Sequence, residues 1–103
     1  MSVSPAFCAF VQEHLAEIGE LRFRRMFGGA GVYWQDRIFA LIIDDVLYLK
    51  TSPETRPLFE AAGSQPFTYE AGGKRVSLAY WRLPDTALDD PDEAVDWVRR
   101  VLG

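Results

Sequence analysis

The first apolar pattern along the chain has helical spacing. Phe7, Phe10, Val11, Leu15 and Ile18 form one apolar stripe, while Gln12, Glu13 and Glu17 fall largely on the wet side. Ser4 can cap this helix, and Pro5 takes the first helical position, where its missing N–H costs nothing. Gly19 is a natural stop in the left-handed conformation that ends many helices. The period then falls to two. Residues 22–27 read as a strand, Gly28-Gly29 as a turn or bulge, and 31–34 as a second short strand. Gln35-Asp36 is turn-like. Residues 37–43 are almost wholly apolar, as a central strand covered on both faces would be. Asp44-Asp45 makes a tight turn into a further strand over 46–50, and such short connections predict antiparallel hairpins.

The second half repeats the vocabulary. Thr51-Ser52-Pro53-Glu54 looks like a helix start, and Pro57 moves the regular helix to about Thr55. Leu58, Phe59 and Ala62 would face the core, with Gly63 closing the helix. Residues 66–71 and 75–83 predict a hairpin around Gly72-Gly73, with Val76, Leu78 and Tyr80 on one face and Ser77, Ala79 and Trp81 on the other. The last helix has Asp90 as cap, Pro91 at the first position and Glu93 at the third. Asp92 and Glu93 suit its positive end, and Arg99 and Arg100 its negative end. Val95, Val98 and Leu102 form its stripe, with Trp97 and Val101 at the edges. The expected fold is α+β, an antiparallel sheet of about five to six strands with helices at the N-terminus, middle and C-terminus. Residues 1–103 are expected to form a single domain.

Composition supports that picture. A chain of 103 residues is of one-domain length, and 49% apolar with 14% aromatic residues is enough for a core and leaves rings to spare for the surface. Cys8 is alone, so no internal disulfide can form. The N-terminus lacks a signal-peptide pattern, and the longest apolar run, 38–43, is of strand length rather than membrane length. A cytoplasmic protein with no membrane association is the expectation. A net charge of −4 argues against wholesale phosphate neutralisation, though not against a local basic patch.

Few residues are candidates for chemistry. Gly28-Gly29-Ala30-Gly31 is followed by a strand rather than by Gly-Lys-Ser/Thr and a helix, so it reads as a hairpin turn and not a phosphate cradle; Gly72-Gly73-Lys74 fails the same test. His14 is the one histidine and lies on the apolar side of the first helix with no nucleophile or further ligand near it in sequence. Asp89, Asp90, Asp92, Glu93 and Asp96 lack the alternation of a calcium loop and read as a cap and a solvated face. Asp44-Asp45 reads as a turn. No catalytic residue, metal site or cofactor is expected, and the chain is not expected to be an enzyme.

The surface is more informative. Residues 22–27 mix arginine with aromatic rings, as nucleic-acid sheets do. Their preferred reading is an edge strand whose charges keep it from aggregating. Tyr33-Trp34 and Tyr80-Trp81 add rings that cannot all point inward, because neighbours on a strand alternate. Exposed rings beside arginine are common in protein-binding patches. Arg22, Arg24, Arg25, Tyr33, Trp34 and Trp81 are therefore the candidate interaction surface, with a protein partner expected. Direct nucleic-acid binding through 22–27 and small-molecule binding are the alternatives. A homodimer formed through a strand edge or aromatic patch is a further expectation.

Several segments together carry a family resemblance. Arg24-Arg25-Met26-Phe27-Gly28-Gly29-Ala30-Gly31, the stretch Phe39-Ala40-Leu41-Ile42 with Asp44-Asp45-Val46-Leu47-Tyr48-Leu49-Lys50, Pro66-Phe67-Thr68-Tyr69, and the run from Tyr80-Trp81 to Leu88-Asp89-Asp90-Pro91 resemble the N-terminal domain of the TfoX/Sxy family. The likeness runs from about Phe7 to Val101. It implies a domain of the same element order and a link to regulation of natural competence and DNA uptake, as a coactivator working with a cyclic-AMP receptor protein. It brings no catalytic residues. Full-length regulators carry a second, C-terminal helical domain, so the expectation for this chain, which ends at Gly103, is a stand-alone N-terminal domain.

Overall fold

The computed structural model describes residues 3–26 and 28–103. Helix α1 (Pro5–His14) starts as its sequence dictates, with the Ser4 hydroxyl accepting from the Phe7 N–H at 3.0 Å. It ends sooner than the apolar stripe predicts. The chain tightens at Leu15 into a 3-10 turn over Ala16–Ile18, and Gly19 leaves it at φ +123°, ψ −165°, away from the left-handed helical conformation expected. The Gln12 side chain holds this exit at both ends. Its amide donates to the Gly19 carbonyl at 3.2 Å, and its oxygen accepts from the Leu21 N–H at 2.9 Å.

Six strands follow, β1 (Arg22–Met26), β2 (Gly29–Trp34), β3 (Arg37–Ile43), β4 (Val46–Lys50), β5 (Pro66–Ala71) and β6 (Lys74–Arg82). They form one antiparallel sheet in the order β1-β2-β3-β4-β6-β5. The expected strand over 22–27 is β1, whose last predicted position, Phe27, lies outside the described residues. Three of the hairpin turns place both central residues at positive φ: Gln35 and Asp36 at 49° and 65°, Asp44 and Asp45 at 53° and 57°, Gly72 and Gly73 at 60° and 79°. That is the twist-compatible geometry of two-residue hairpin loops, and it explains the polar or glycine pairs at these places.

Between β4 and β5 lies α2 (Arg56–Ala61). Pro57 falls in its first turn, where it does no harm. Of the three residues expected to face the core, only Phe59 is buried; Leu58 is 44% exposed and Ala62 is also exposed. A helix of six residues is too short to present a broader inner face. The short helix α3 (Asp85–Asp89) is not announced by any pattern in the sequence. Helix α4 (Pro91–Leu102) is capped as expected, the Asp90 carboxylate accepting from the N–H groups of Asp92 at 3.0 Å and Glu93 at 3.4 Å. Its inner face is Ala94, Val95, Trp97 and Val98, so Trp97 is core rather than edge.

All four helices cover one face of the sheet. Val11, Leu15, Phe59, Ala87, Val95 and Val98 join Val32, Ala40, Ile42, Leu47, Leu49 and Trp81 in one apolar cluster. Register slips between Val32 and Tyr33, which stand opposite Ala40 and Ile38. The extra residue, Phe39, is thereby turned into the core beside Ala40. Strand β3 is thus buried along Phe39–Ile42, but helices lie over only one of its faces.

Candidate interaction face

Strand alternation fixes what the uncovered face carries. With Val32, Ala40, Ile42, Leu47, Leu49 and Trp81 turned to the helices, their neighbours point away. On β1 these are Arg22, Arg24 and Met26, which stand opposite Tyr33, Gly31 and Gly29 of β2. Strand β3 contributes Ile38, Leu41 and Ile43; β4 contributes Tyr48 and Lys50, opposite Arg82 and Tyr80 of β6.

The side chains on this face pack on one another. The Arg24 guanidinium lies over the Tyr33 ring at 5.9 Å. Gly31 makes room beneath them, since a Cβ there would come within 2.7 Å of the Met26 methyl, 3.0 Å of Ile38 Cδ1 and 3.1 Å of the Tyr33 ring. On the other side of the face the Tyr48 ring meets Phe67 edge-on at 5.2 Å, and Phe67 stacks on Tyr69 at 6.2 Å. Leu41 is only 7% exposed although it stands outside the helix-side cluster, so it is shielded by these neighbours rather than by a helix. Burial pushes the Tyr80 phenol above its ordinary pKa, and the Tyr33 phenol adds to the shift.

The charge on this face is one-sided. Glu70 is the only carboxylate within any described strand; it stands opposite Arg75, one position out of phase with the outward pair Tyr69 and Val76. Arg22, Arg24, Lys50 and Arg82 all lie on the outward side. Among the described residues, Arg82 alone of these four is ion-paired, with Asp85 at 3.9 Å in an exposed contact. A domain of net charge −4 thus has a sheet face with cations at its rim and no strand carboxylate.

The six residues expected to form an interaction surface are divided by the sheet. Arg22, Arg24 and Tyr33 come together on the open face. Arg25 has the opposite phase; it is exposed on the helix side, where it acts on the Cys8 thiol. Burial and then the Asp45 carboxylate push that thiol's pKa up, and Arg25 pulls it the other way. Trp34 also turns to the helix side, half-buried against the core. Trp81 needs correcting as a surface residue. It stands opposite Leu49 and Pro66, is 9% exposed, and belongs to the core. The expectation missed Tyr48, Phe67, Tyr69, Tyr80 and Leu41. The usable signal was the phase of β4 and β6, in which Tyr48 and Tyr80 alternate with the core residues Leu49 and Trp81.

The remaining candidates have structural roles. His14 Nε2 lies 2.7 Å from the Ala87 carbonyl oxygen, tying α1 to α3, and its ring stacks on Phe10 at 4.8 Å. Asp45 accepts from the Ser4 N–H at 2.9 Å. Glu93 accepts from the Thr86 hydroxyl at 2.7 Å and from Trp97 Nε1 at 3.4 Å. Among the described residues no three His, Cys, Asp or Glu side chains converge as a metal-ligand set. No described helix is long and apolar enough to cross a membrane.

The profile of the TfoX N-terminal domain matches residues 13–103. The chain belongs to the TfoX N-terminal domain family. It is 29% identical over 75 residues to Protein Sxy of Escherichia coli (strain K12), an alignment covering 73% of this chain and 36% of that protein. It is 34% identical over 86 residues to DNA transformation protein TfoX1 of Aliivibrio fischeri (strain ATCC 700601 / ES114), covering 84% of this chain and 41% of that relative. The chain therefore spans about two-fifths of the curated relatives it matches. The matched segment of a TfoX N-terminal domain includes both the whole sheet and the helix-side core from His14 onward.

Proposed function

We propose that this TfoX N-terminal domain is a non-catalytic regulatory module of the competence-regulator kind, acting in the cytoplasm by holding a protein partner on its open sheet face. Membership of the family and likeness to a DNA transformation protein support the regulatory half. The observation that carries the binding half is the make-up of the open face. Tyrosine, phenylalanine, methionine and arginine are gathered there and strand carboxylates are missing, which is the residue bias of protein–protein interface cores. The partner belongs to the transcription machinery, with a cyclic-AMP receptor protein as the first candidate. The test is capture from the native host by the tagged chain and by its Arg24→Ala/Tyr33→Ala form, with expression of competence genes followed in parallel. Loss of one partner and of competence-gene induction in the folded double variant is expected. Retention of every partner by that variant sinks the reading.

A second reading, direct binding of nucleic acid, draws on Arg22 and Arg24 beside the Tyr33 ring. It requires affinity for DNA that falls steeply with salt, and the absence of any complex at low salt would remove it.

A further inference from the structure

The open face limits what can lie on it. Its centre is aliphatic, with Ile38, Leu41 and Ile43 on the middle strand β3. The cations stand at the rim, Arg22 and Arg24 on the edge strand β1 and Lys50 at the end of β4. A second copy of the chain would bring the same cations against these and meet like charge with like charge. A single nucleic-acid strand needs rings in file along a cationic track, whereas here branched aliphatic side chains separate Tyr33 from Tyr48. An apolar centre with a cationic rim complements an apolar stripe bordered by carboxylates. The size also fits: five inter-strand steps of about 4.8 Å make a face about 24 Å across, the length of a helix of about 16 residues. Covering a sheet face with a helix is also how sheets are ordinarily buried, and here one face is already covered in that way.

The geometry points to an acidic amphipathic helix of the partner protein as the occupant of this face, its apolar stripe on Ile38, Leu41 and Ile43 and its carboxylates on Arg22, Arg24 and Lys50. This rests on the protein-binding reading above and specifies the chemistry of the partner.

A designed helix of about 16 residues with a Leu/Phe stripe and glutamates on its other faces is the probe. Its lysine twin and an oligothymidine strand are the controls. Each is titrated into the isotope-labelled full chain and followed by NMR, which detects binding as weak as millimolar. The acidic helix is expected to shift resonances of Ile38, Leu41, Tyr33 and Tyr80, to bind at least about tenfold more tightly than its lysine twin, and to lose about tenfold in affinity on Arg22→Glu/Arg24→Glu. Both positions are exposed, so that variant keeps the fold, and its dispersed spectrum verifies this. No binding of the acidic helix, or shifts confined to the helix side, overturns the inference. So does tighter binding of oligothymidine, or a concentration-dependent dimer that buries the same face. A chain that captures its partner through Arg24 and Tyr33 yet ignores the acidic helix overturns this inference and leaves the protein-binding reading standing.

Discussion

The two faces of the sheet are made by the same strands and follow different rules. The helix side takes Val32, Ala40, Ile42, Leu47 and Leu49, none more than 4% exposed, and closes them under four helices. The valine, isoleucine and leucine side chains buried there each contribute about 1.5–3 kcal/mol by leaving water. The open side takes half-buried tyrosines and a methionine, exposed arginines and two buried glycines, and covers its deeply shielded leucine, Leu41, with its own side chains. Rings with a hydroxyl at the tip can lie on an apolar surface and still meet water. The helix side therefore sets the stability of the domain, and the open side can be given over to recognition without weakening the fold.

Two leucines on adjacent strands offer the sharpest test. Leu49 on β4 faces the helices and is fully buried, whereas Leu41 on β3 faces the other way. Leu49→Ala is expected to cost about 2–5 kcal/mol, because the core around it cannot close the gap. Leu41→Ala is expected to cost about 1–2 kcal/mol, since the side chains above it are free to settle. Urea unfolding of both variants measures the difference; equal losses would mean that the open face is packed like a core and would end the distinction. Next in size is Asp90→Ala, which removes the cap of the longest covering helix. A loss of about 1 kcal/mol is expected, with faster amide exchange at the start of α4 and none on β1. On the open side, Tyr33→Ala should change stability by no more than about 0.5–1 kcal/mol, even though it removes the ring under Arg24. A larger loss, read from the same urea curves, would give Tyr33 a structural role in place of a binding one.

The same division explains what could be read from the sequence. The hairpins were legible because their turns need special backbone angles, and Gln35-Asp36, Asp44-Asp45 and Gly72-Gly73 are residues that tolerate them. The capped helices were legible because Ser4 and Asp90 precede prolines at the first helical position. Helix α3 was not, since five residues between Pro84 and Asp90 hold no periodic signal. Trp81 was misjudged because a tryptophan beside a tyrosine shows only that one of the two points inward. Which one does so depends on the pairing of β6 with Leu49 of β4, a contact between strands far apart in sequence. The open face was half legible for the same reason. Arg22, Arg24 and Tyr33 lie in one hairpin and Tyr48 follows two hairpins on, but Phe67 and Tyr80 join them only through the crossover that puts β6 next to β4.

The smallest predicted effect bears on how tightly the open face closes over itself. Tyr80 is held neutral, chiefly by burial and then by the Tyr33 phenol, so its pKa in the folded chain lies above the ordinary 10.0. Below that value the phenol is neutral in both folded and unfolded chains, and it adds no pH dependence. As pH rises through it, the unfolded chain releases the proton first, so this residue lowers stability progressively until the folded pKa is reached. Tyr80→Phe should therefore leave stability at neutral pH nearly unchanged and flatten the decline above about pH 10. Tyr33→Phe should bring a smaller flattening, since it removes only the second cause of the Tyr80 shift. Melting temperatures measured from pH 8 to 11, with phenol ionisation followed in the near ultraviolet, separate the two. An alkaline decline that is the same in wild type and Tyr80→Phe would place the Tyr80 hydroxyl in open water, and the open face would then shield its half-buried tyrosine less than the fold implies.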